Sequence, residues 1–439
     1  MAEPLVAEPL GVRLNPPFLD GVYLALNALP DALFLGDGPG CLFTKAERVA
    51  GRHDLFSTLL SCRGEHRLNH TGIDAFNVAG NTEAGMASAL RSLAARPGCG
   101  AVFMGSMPVC AIVGSDYARI MREALAGSQT PSFLVPRAIS GDWLDGYAAV
   151  LEALASGMDL GGAARRKGTV ALVGYLMDRN EGEHRGNVRE LERMLRALGL
   201  EPVSIWLSGR PYAHLREARH ADAIVSLPHG RKAARVLAGR LGVPLVEAEL
   251  PFGLEGTRRF MERMGREFQR EDRARDFIDA ELDSAAPRLQ WSVPHAFLRR
   301  RFAFAGDPLY APGFVEFIEE LGGKVTGLLL MGAVRHLPPA QARALARRPR
   351  TSFEPLTKDA ACAGPADAFW RGADLVVSNT LAFETARPEA PWFEFGFPSD
   401  YTHYLRDAPF LGFAGALSLA SRLANEVVKG LAARRGKSR

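Results

Sequence analysis

Cysteine is scarce in this chain: five residues in 439, an odd number, scattered, with no CxxC pair. That excludes a disulfide framework, a zinc ribbon and a ferredoxin-type cluster loop. Charge of one sign is also lacking, since 53 basic and 49 acidic residues leave a net +4. Part of that excess sits in the tail AARRGKSR, so no nucleic-acid partner is expected. No apolar run is long enough to span a bilayer, which argues against a membrane partner. MAEPLVAEPLGVRLN lacks a basic segment followed by an apolar one, so no signal peptide is expected and the expected compartment is the reducing cytoplasm. Walker A, GxGxxG, GxSxG, HExxH and HxH patterns are missing too, removing the commonest nucleotide, hydrolase and zinc readings.

What is present is an ordinary globular composition, 47% hydrophobic and 23% charged, in a chain too long for one core. A short β-branched run, a turn with Gly or Asp, and an amphipathic helix recur along it. TVALVG (169–174) reads as a buried strand. NVRELERMLRALGL (187–200) reads as a helix with Val188, Leu191, Met194, Leu195 and Leu198 on one face and Gly199 near its end. PVSIWL, AHLREARH, ADAIVSLP, GRKAARVLAGRLG and VPLVEAELP continue the alternation. A second series runs through RFAFAGD (301–307), FVEFIEELGG, KVTGLLLMG and ADLVVSNT (373–380), after the charged connector REFQREDRARDFIDAELDSAAPRLQWS. An earlier one comprises DALFLGDG, FNVAGN, AVFMGSM and SFLVPR. The last helix, GFAGALSLASRLANEVVKGLAARR, is amphipathic with a basic end. Alternation at this spacing predicts the α/β class: three Rossmann-like domains, each a mainly parallel sheet flanked by helices. We place them at 1–165, 166–298 and 299–439.

Ligands of open α/β sheets bind beyond the carboxyl ends of the strands, so strand-end loops are the places to search. GDGPGC (36–41) is such a loop. Its glycines permit a sharp turn and close approach, and Cys41 would present a thiolate there; on spacing alone, a bare turn with an incidental cysteine fits as well. Cys110, in SMPVCAIVGSD, also follows an apolar strand, and Cys62 lies in LLSCRGEH. Thiolates at 41, 62 and 110 suit iron. Cys99 and Cys362 read as structural or incidental. His229, in SLPHGRKAA, reads as a capping or satisfied loop histidine, and Asp178 and Asp307 as turn residues. The aromatics of FWRG and PWFEFGFPSDYTHY read as packing.

Four stretches together resemble the component 1 superfamily of nitrogenase-like reductases, which includes nitrogenase, the dark-operative protochlorophyllide reductase, chlorophyllide reductase and the nitrogenase cofactor scaffold. GDGPGC is similar to the family's "GPxGC" turn, and SMPVCAIVGSD to its "TC…IGDD" segment. ELPFGLEGTRRFM is similar to "P.GI..T..FL". ADLVVSNTLAFETA, followed by FEFGFPSDYTHYLRDAPFLGFAGALSLASRLANEV, resembles the closing block "D…GN…GFP…R…P..GY.GA..L…IAN".

The resemblance implies an iron–sulfur cluster, 4Fe–4S or larger, shared with a second copy or a homologous subunit in a homodimer or an α2β2 assembly. Electrons would come from a separate iron protein, the only component that binds ATP. Cys41 falls on the family's cluster cysteine, and amides of the Gly36–Gly40 loop, including Gly38 and Gly40, would hydrogen-bond the cluster sulfides. The second family cysteine falls on Pro108, close to Cys110; Cys62 has no family counterpart but is kept with Cys41 and Cys110 as a metal candidate. NPPFLDG (15–21) stands where the family has its earliest cysteine, as in the second-type subunit of the protochlorophyllide enzyme. No cysteine lies between 111 and 361, so the ligand of the molybdenum–iron cofactor is absent and a β-type subunit is implied. The implied function is reduction of a small substrate at a subunit interface, a tetrapyrrole or another unsaturated or sulfur compound. The alternatives are a non-catalytic scaffold for metallocluster assembly and an α/β binding protein with no cluster.

Overall fold

The alternation of apolar runs and amphipathic segments is realised as three sheets in a computed structural model, which describes residues 15–73, 82–112, 114–136, 140–162, 164–353, 370–386 and 390–437. FNVAGN and Cys362 lie outside the described residues. The first sheet holds β1 (Ala32–Asp37), β2 (Leu68–His70), β3 (Ala101–Ser106) and β4 (Ser132–Leu134) in the order β2-β1-β3-β4. The second holds β5 (Thr169–Val173), β6 (Glu201–Ile205), β7 (Ala223–Ser226) and β8 (Leu245–Glu247) in the order β6-β5-β7-β8. The third holds β9 (Arg301–Gly306), β10 (Lys324–Leu330), β11 (Thr351–Phe353), β12 (Leu375–Ser378) and β13 (Trp392–Glu394) in the order β11-β10-β9-β12-β13. Every pairing is parallel. β1, β3, β5, β7 and β12 are buried along their whole length, which is why they read as continuous apolar runs rather than alternating ones.

Two compact units emerge from this arrangement. Pro17–Trp291 and Asp400–Ser421 form one, with the first two sheets; Ser292–Ser399 and the chain from Arg422 form the other, with the third sheet. The charged connector becomes the helix Glu271–Leu289, ending where the chain changes unit. Three strands escaped the sequence pattern: β2, β11 and β13, of three residues each, too short to show a period.

The helix expected at 187–200 spans Gly182–Ala197, with Val188, Leu191, Met194 and Leu195 buried as expected. Its extra first turn, GEHRG, has no apolar period and is held by polar contacts. His184 Nε2 lies 2.6 Å from Asp178, Arg179 pairs with Glu183, and Tyr175 Oη meets His184 Nδ1 at 2.9 Å. Asp178, expected to be a simple turn residue, is therefore a buried ionic centre, 1% exposed, that His53 also approaches at 3.6 Å. Burial raises a carboxyl's pKa, but His184 and His53 together hold Asp178 well below the usual range.

A second buried carboxylate, Asp54, ties the first sheet to the second within the same unit. It accepts from Asn27 Nδ2 at 2.7 Å and from the Asn180 amide and Nδ2, each at 2.9 Å. Its other oxygen accepts from the Phe56 amide at 2.8 Å. The returning segment joins the same seam. His403 Nδ1 and the Tyr404 amide reach Glu181 at 2.7 and 2.9 Å, and the Phe410 and Leu411 amides donate to Asn187 Oδ1. A buried charge is tolerated only when donors fill its lone pairs, and these loops supply them. Asp54→Ala, which strands the Asn27 and Asn180 donors, is expected to lower stability by about 3–5 kcal/mol. The shift in urea midpoint measures it, and a loss under about 1 kcal/mol would show that the seam does not depend on Asp54.

Candidate functional site

β1, β2 and β3 end in register. Gly36 stands beside His70 on one side and Gly105 on the other, and Asp37 beside Ser106. The loops that follow them therefore leave one edge of the sheet side by side. The β1 loop turns through GDGPGC into helix α2 (Cys41–Val49), whose N-cap is Gly40. Cys41 opens that helix and is exposed. The Leu42 and Phe43 amides of its first turn donate back to Pro39 O and Gly40 O at 3.2 and 3.0 Å.

The glycines of this turn serve its own packing. A Cβ on Gly36 would lie 2.5 Å from Leu42, and one on Gly38 would lie 2.7 Å from the Met107 side chain. The Gly38 amide, expected to face a cluster sulfide, already donates to Thr71 Oγ1 at 3.0 Å. That hydroxyl in turn donates to Asp37 Oδ1 at 2.8 Å, while Tyr117 Oη donates to Asp37 Oδ2. Asp37, 2% exposed, thus binds the ends of β1 and β2 to the helix Tyr117–Ala124. Burial and then the hydrogen bond to Asp37 push the Tyr117 hydroxyl pKa up, so it stays a donor.

The other cysteines are placed differently. Cys110 sits on the short helix Pro108–Ala111 after β3, close in sequence to the Met107 that touches Gly38. Its side chain is buried, 1% exposed, and burial followed by the Asp37 charge pushes its thiol up to about 11. Cys62 is exposed in the turn that Gly64 closes onto Ser61. Cys99 lies partly buried in the turn before β3. Among the described residues, no three of the Cys, His, Asp and Glu side chains around this edge bring ligand atoms within 4.8 Å of one another.

Outside this edge, His229 is buried in the turn after β7 with its ring against Tyr147, and its amide donates to Gly174 O. Asp307 closes the turn after β9 by accepting from the Leu309 amide at 2.7 Å.

Three polar side chains near Cys41 were not legible in the sequence. His70 ends β2; its Cε1 and Nε2 lie 3.6 Å from where a Gly40 Cβ would be. Helix α1 (Phe18–Asn27) supplies the other two, Asp20 and Tyr23, both buried, with Asp20 Oδ1 and the Tyr23 hydroxyl lacking hydrogen-bond partners among the described residues. Lys45 and Arg48 follow Cys41 at helical spacing, on one face of α2, and it is their charges that Asp20 feels. NPPFLDG, noted as the place of a missing cysteine, was the one sequence signal pointing to Asp20.

The stretch from residue 19 to residue 428 matches the family described as nitrogenase component 1 type oxidoreductase. The chain belongs to that family. It is 23% identical over 274 residues to the nitrogenase molybdenum–iron protein beta chain of Frankia alni, covering 55% of this chain and 49% of that one. Against the corresponding beta chain of Azotobacter vinelandii it is 23% identical over 278 residues, 56% and 52% of the two chains. It spans about half the length of the curated relatives it matches. That both are beta chains agrees with the β-type resemblance. The solved structure "Nitrogenase Cp1 at pH 6.5" superposes with a TM-score of 0.76 at 17% identity, over 98% of this chain and 95% of that one. The same protein at pH 5 gives 0.72 at 13% identity, over 98% and 90%. At these identities the likeness concerns the component 1 fold alone. No helix among the described residues is long and apolar enough to cross a membrane.

Burial pushes the Asp20 carboxyl up to about 7, against the opposing charges of Arg48 and Lys45. A raised carboxyl keeps its proton in the folded state after the unfolded chain has lost it. Stability therefore falls as pH rises from the ordinary carboxyl range to about 7, by up to about 1.4 kcal/mol per pH unit, and levels off above. Asp20→Asn is expected to flatten that slope and to be more stable than the native chain at pH 8. Urea titrations across pH 4–8 measure it, and parallel profiles would exclude a protonated Asp20.

Proposed function

We propose that this chain is a β-type subunit, or one half of a homodimer, of a nitrogenase-like reductase in which Cys41 holds an iron–sulfur cluster shared with a partner chain. The observation that carries this reading is an exposed thiol opening α2 at the carboxyl edge of β1, inside the family-matched stretch. The donor chemistry fits: thiolate sulfur suits iron. When bound, a 4Fe–4S or larger cluster supplies one-electron transfer. Its electrons would come from an iron protein that alone hydrolyses ATP, and a small-molecule substrate would lie at the subunit interface.

The chain's own part is positioning. Asp37, Thr71 and Tyr117 hold the GDGPGC turn, and the Asp54 seam anchors the chain just beyond the far end of α2. Burial of Cys110 favours Cys41 as the ligand at a surface two chains share. We keep the division 1–165, 166–298 and 299–439, one sheet to each segment, as the functional domains.

Anaerobic purification with its partner should yield a brown protein containing iron and sulfide, with an EPR signal on reduction. Cys41→Ala should lose most of the iron and the native signal, and an unchanged spectrum would remove Cys41 from the site. Turnover with an iron protein and ATP separates a reductase from an assembly scaffold.

A further inference from the structure

His70 is poised in a way its packing alone does not explain. Its backbone pairs with Gly36 at the end of β1, and its ring stands edge-on to Phe43 with centroids 4.8 Å apart. Phe43 also meets His66 at 4.9 Å, and the Ser61 amide uses His66 Nδ1 as its acceptor. His66 is thus engaged. The Nδ1 of His70 is shut off from water and has no hydrogen-bond partner among the described residues. A buried, unpaired polar atom is costly and calls for a partner. Nδ1 lies toward Gly72, and it is the other nitrogen, Nε2, that with Cε1 stands within 3.6 Å of where a Gly40 Cβ would be, beside Cys41, with no Gly40 side chain to come between them. Imidazole nitrogen is a good iron ligand and, unlike a buried thiol, needs no deprotonation beyond its neutral form.

Resting on the reading of Cys41 above, we propose that His70 supplies a nitrogen ligand to the same cluster. Each chain would then offer one thiolate and one imidazole from adjacent strand ends, and two chains would complete a mixed sulfur–nitrogen set. This accounts for a chain that keeps one exposed cysteine at the edge while Cys110 is sequestered in the core. It also predicts an elevated potential, because replacing thiolate by neutral imidazole lowers the negative charge on a cluster.

The test is pulsed EPR on the reduced, anaerobically purified complex, prepared with natural-abundance and with 15N-labelled histidine. A nitrogen hyperfine coupling that changes isotope with the label is expected in the native protein. In His70→Cys it should vanish while iron is retained, and the midpoint potential should move to a more negative value. A cluster signal with no nitrogen coupling in the native protein would overturn the assignment, and so would a coupling that persists in His70→Cys. The native spectrum decides the matter even where the variant fails to fold. A native complex with no cluster at all sinks the Cys41 reading first and this inference with it.

Discussion

Two carboxylates shut away from water, Asp54 and Asp178, are the constraint on which the first unit depends. Each costs several kcal/mol to bury unless donors surround it, so the chain must deliver those donors together. Asn27 comes from the end of α1, His53 and Phe56 from the loop after α2, and Asn180 and His184 from the loop and helix after β5. Two sheets are held as one compact unit by this requirement as much as by apolar packing. The seam also pins the chain just beyond α2, and so sets where the other end of that helix, Cys41, stands.

A parallel logic governs the opposite end of α2. Asp37 is buried among the ends of three parallel strands and filled by Thr71 and Tyr117, while the glycines around it let Leu42 and Met107 press against the turn. Rigidity here comes from groups that do not face outward. At the surface of this edge stand the exposed Cys41 thiol and the half-buried imidazole of His70. Cys110, on the neighbouring strand end, lies on the inner side of the same division. Depth below the surface separates the cysteines more sharply than their spacing in sequence.

The long strands and the amphipathic helices of the middle and last segments were legible in the sequence, because burial on both faces leaves unbroken apolar runs and amphipathic helices leave a period of 3.6; the buried helices α1 and Trp143–Gly157 were not. β1, β3, β5, β7, β9, β10 and β12 were all anticipated on that ground. β2, β11 and β13 were not, since three residues carry no period. The loss mattered at β2, whose last residue is His70. The GEHRG turn was missed for another reason: its helix is stabilised by Asp178 and Arg179, partners outside the segment. GDGPGC was legible as a candidate site only through its company, because its glycines would read the same in any tight turn.

By itself the sequence determined the α/β class, the succession of strands and helices, the family and the place of Cys41. Those follow from local periodicity and from short motifs whose residues are neighbours along the chain. Only the tertiary structure decided which thiol is exposed and which is buried, and that Asp178 is an ionic centre rather than a turn residue. It alone brought Asp20, Tyr23 and His70 near the GDGPGC loop. Burial and pairing depend on segments far apart in sequence meeting in space, and no local pattern records such meetings.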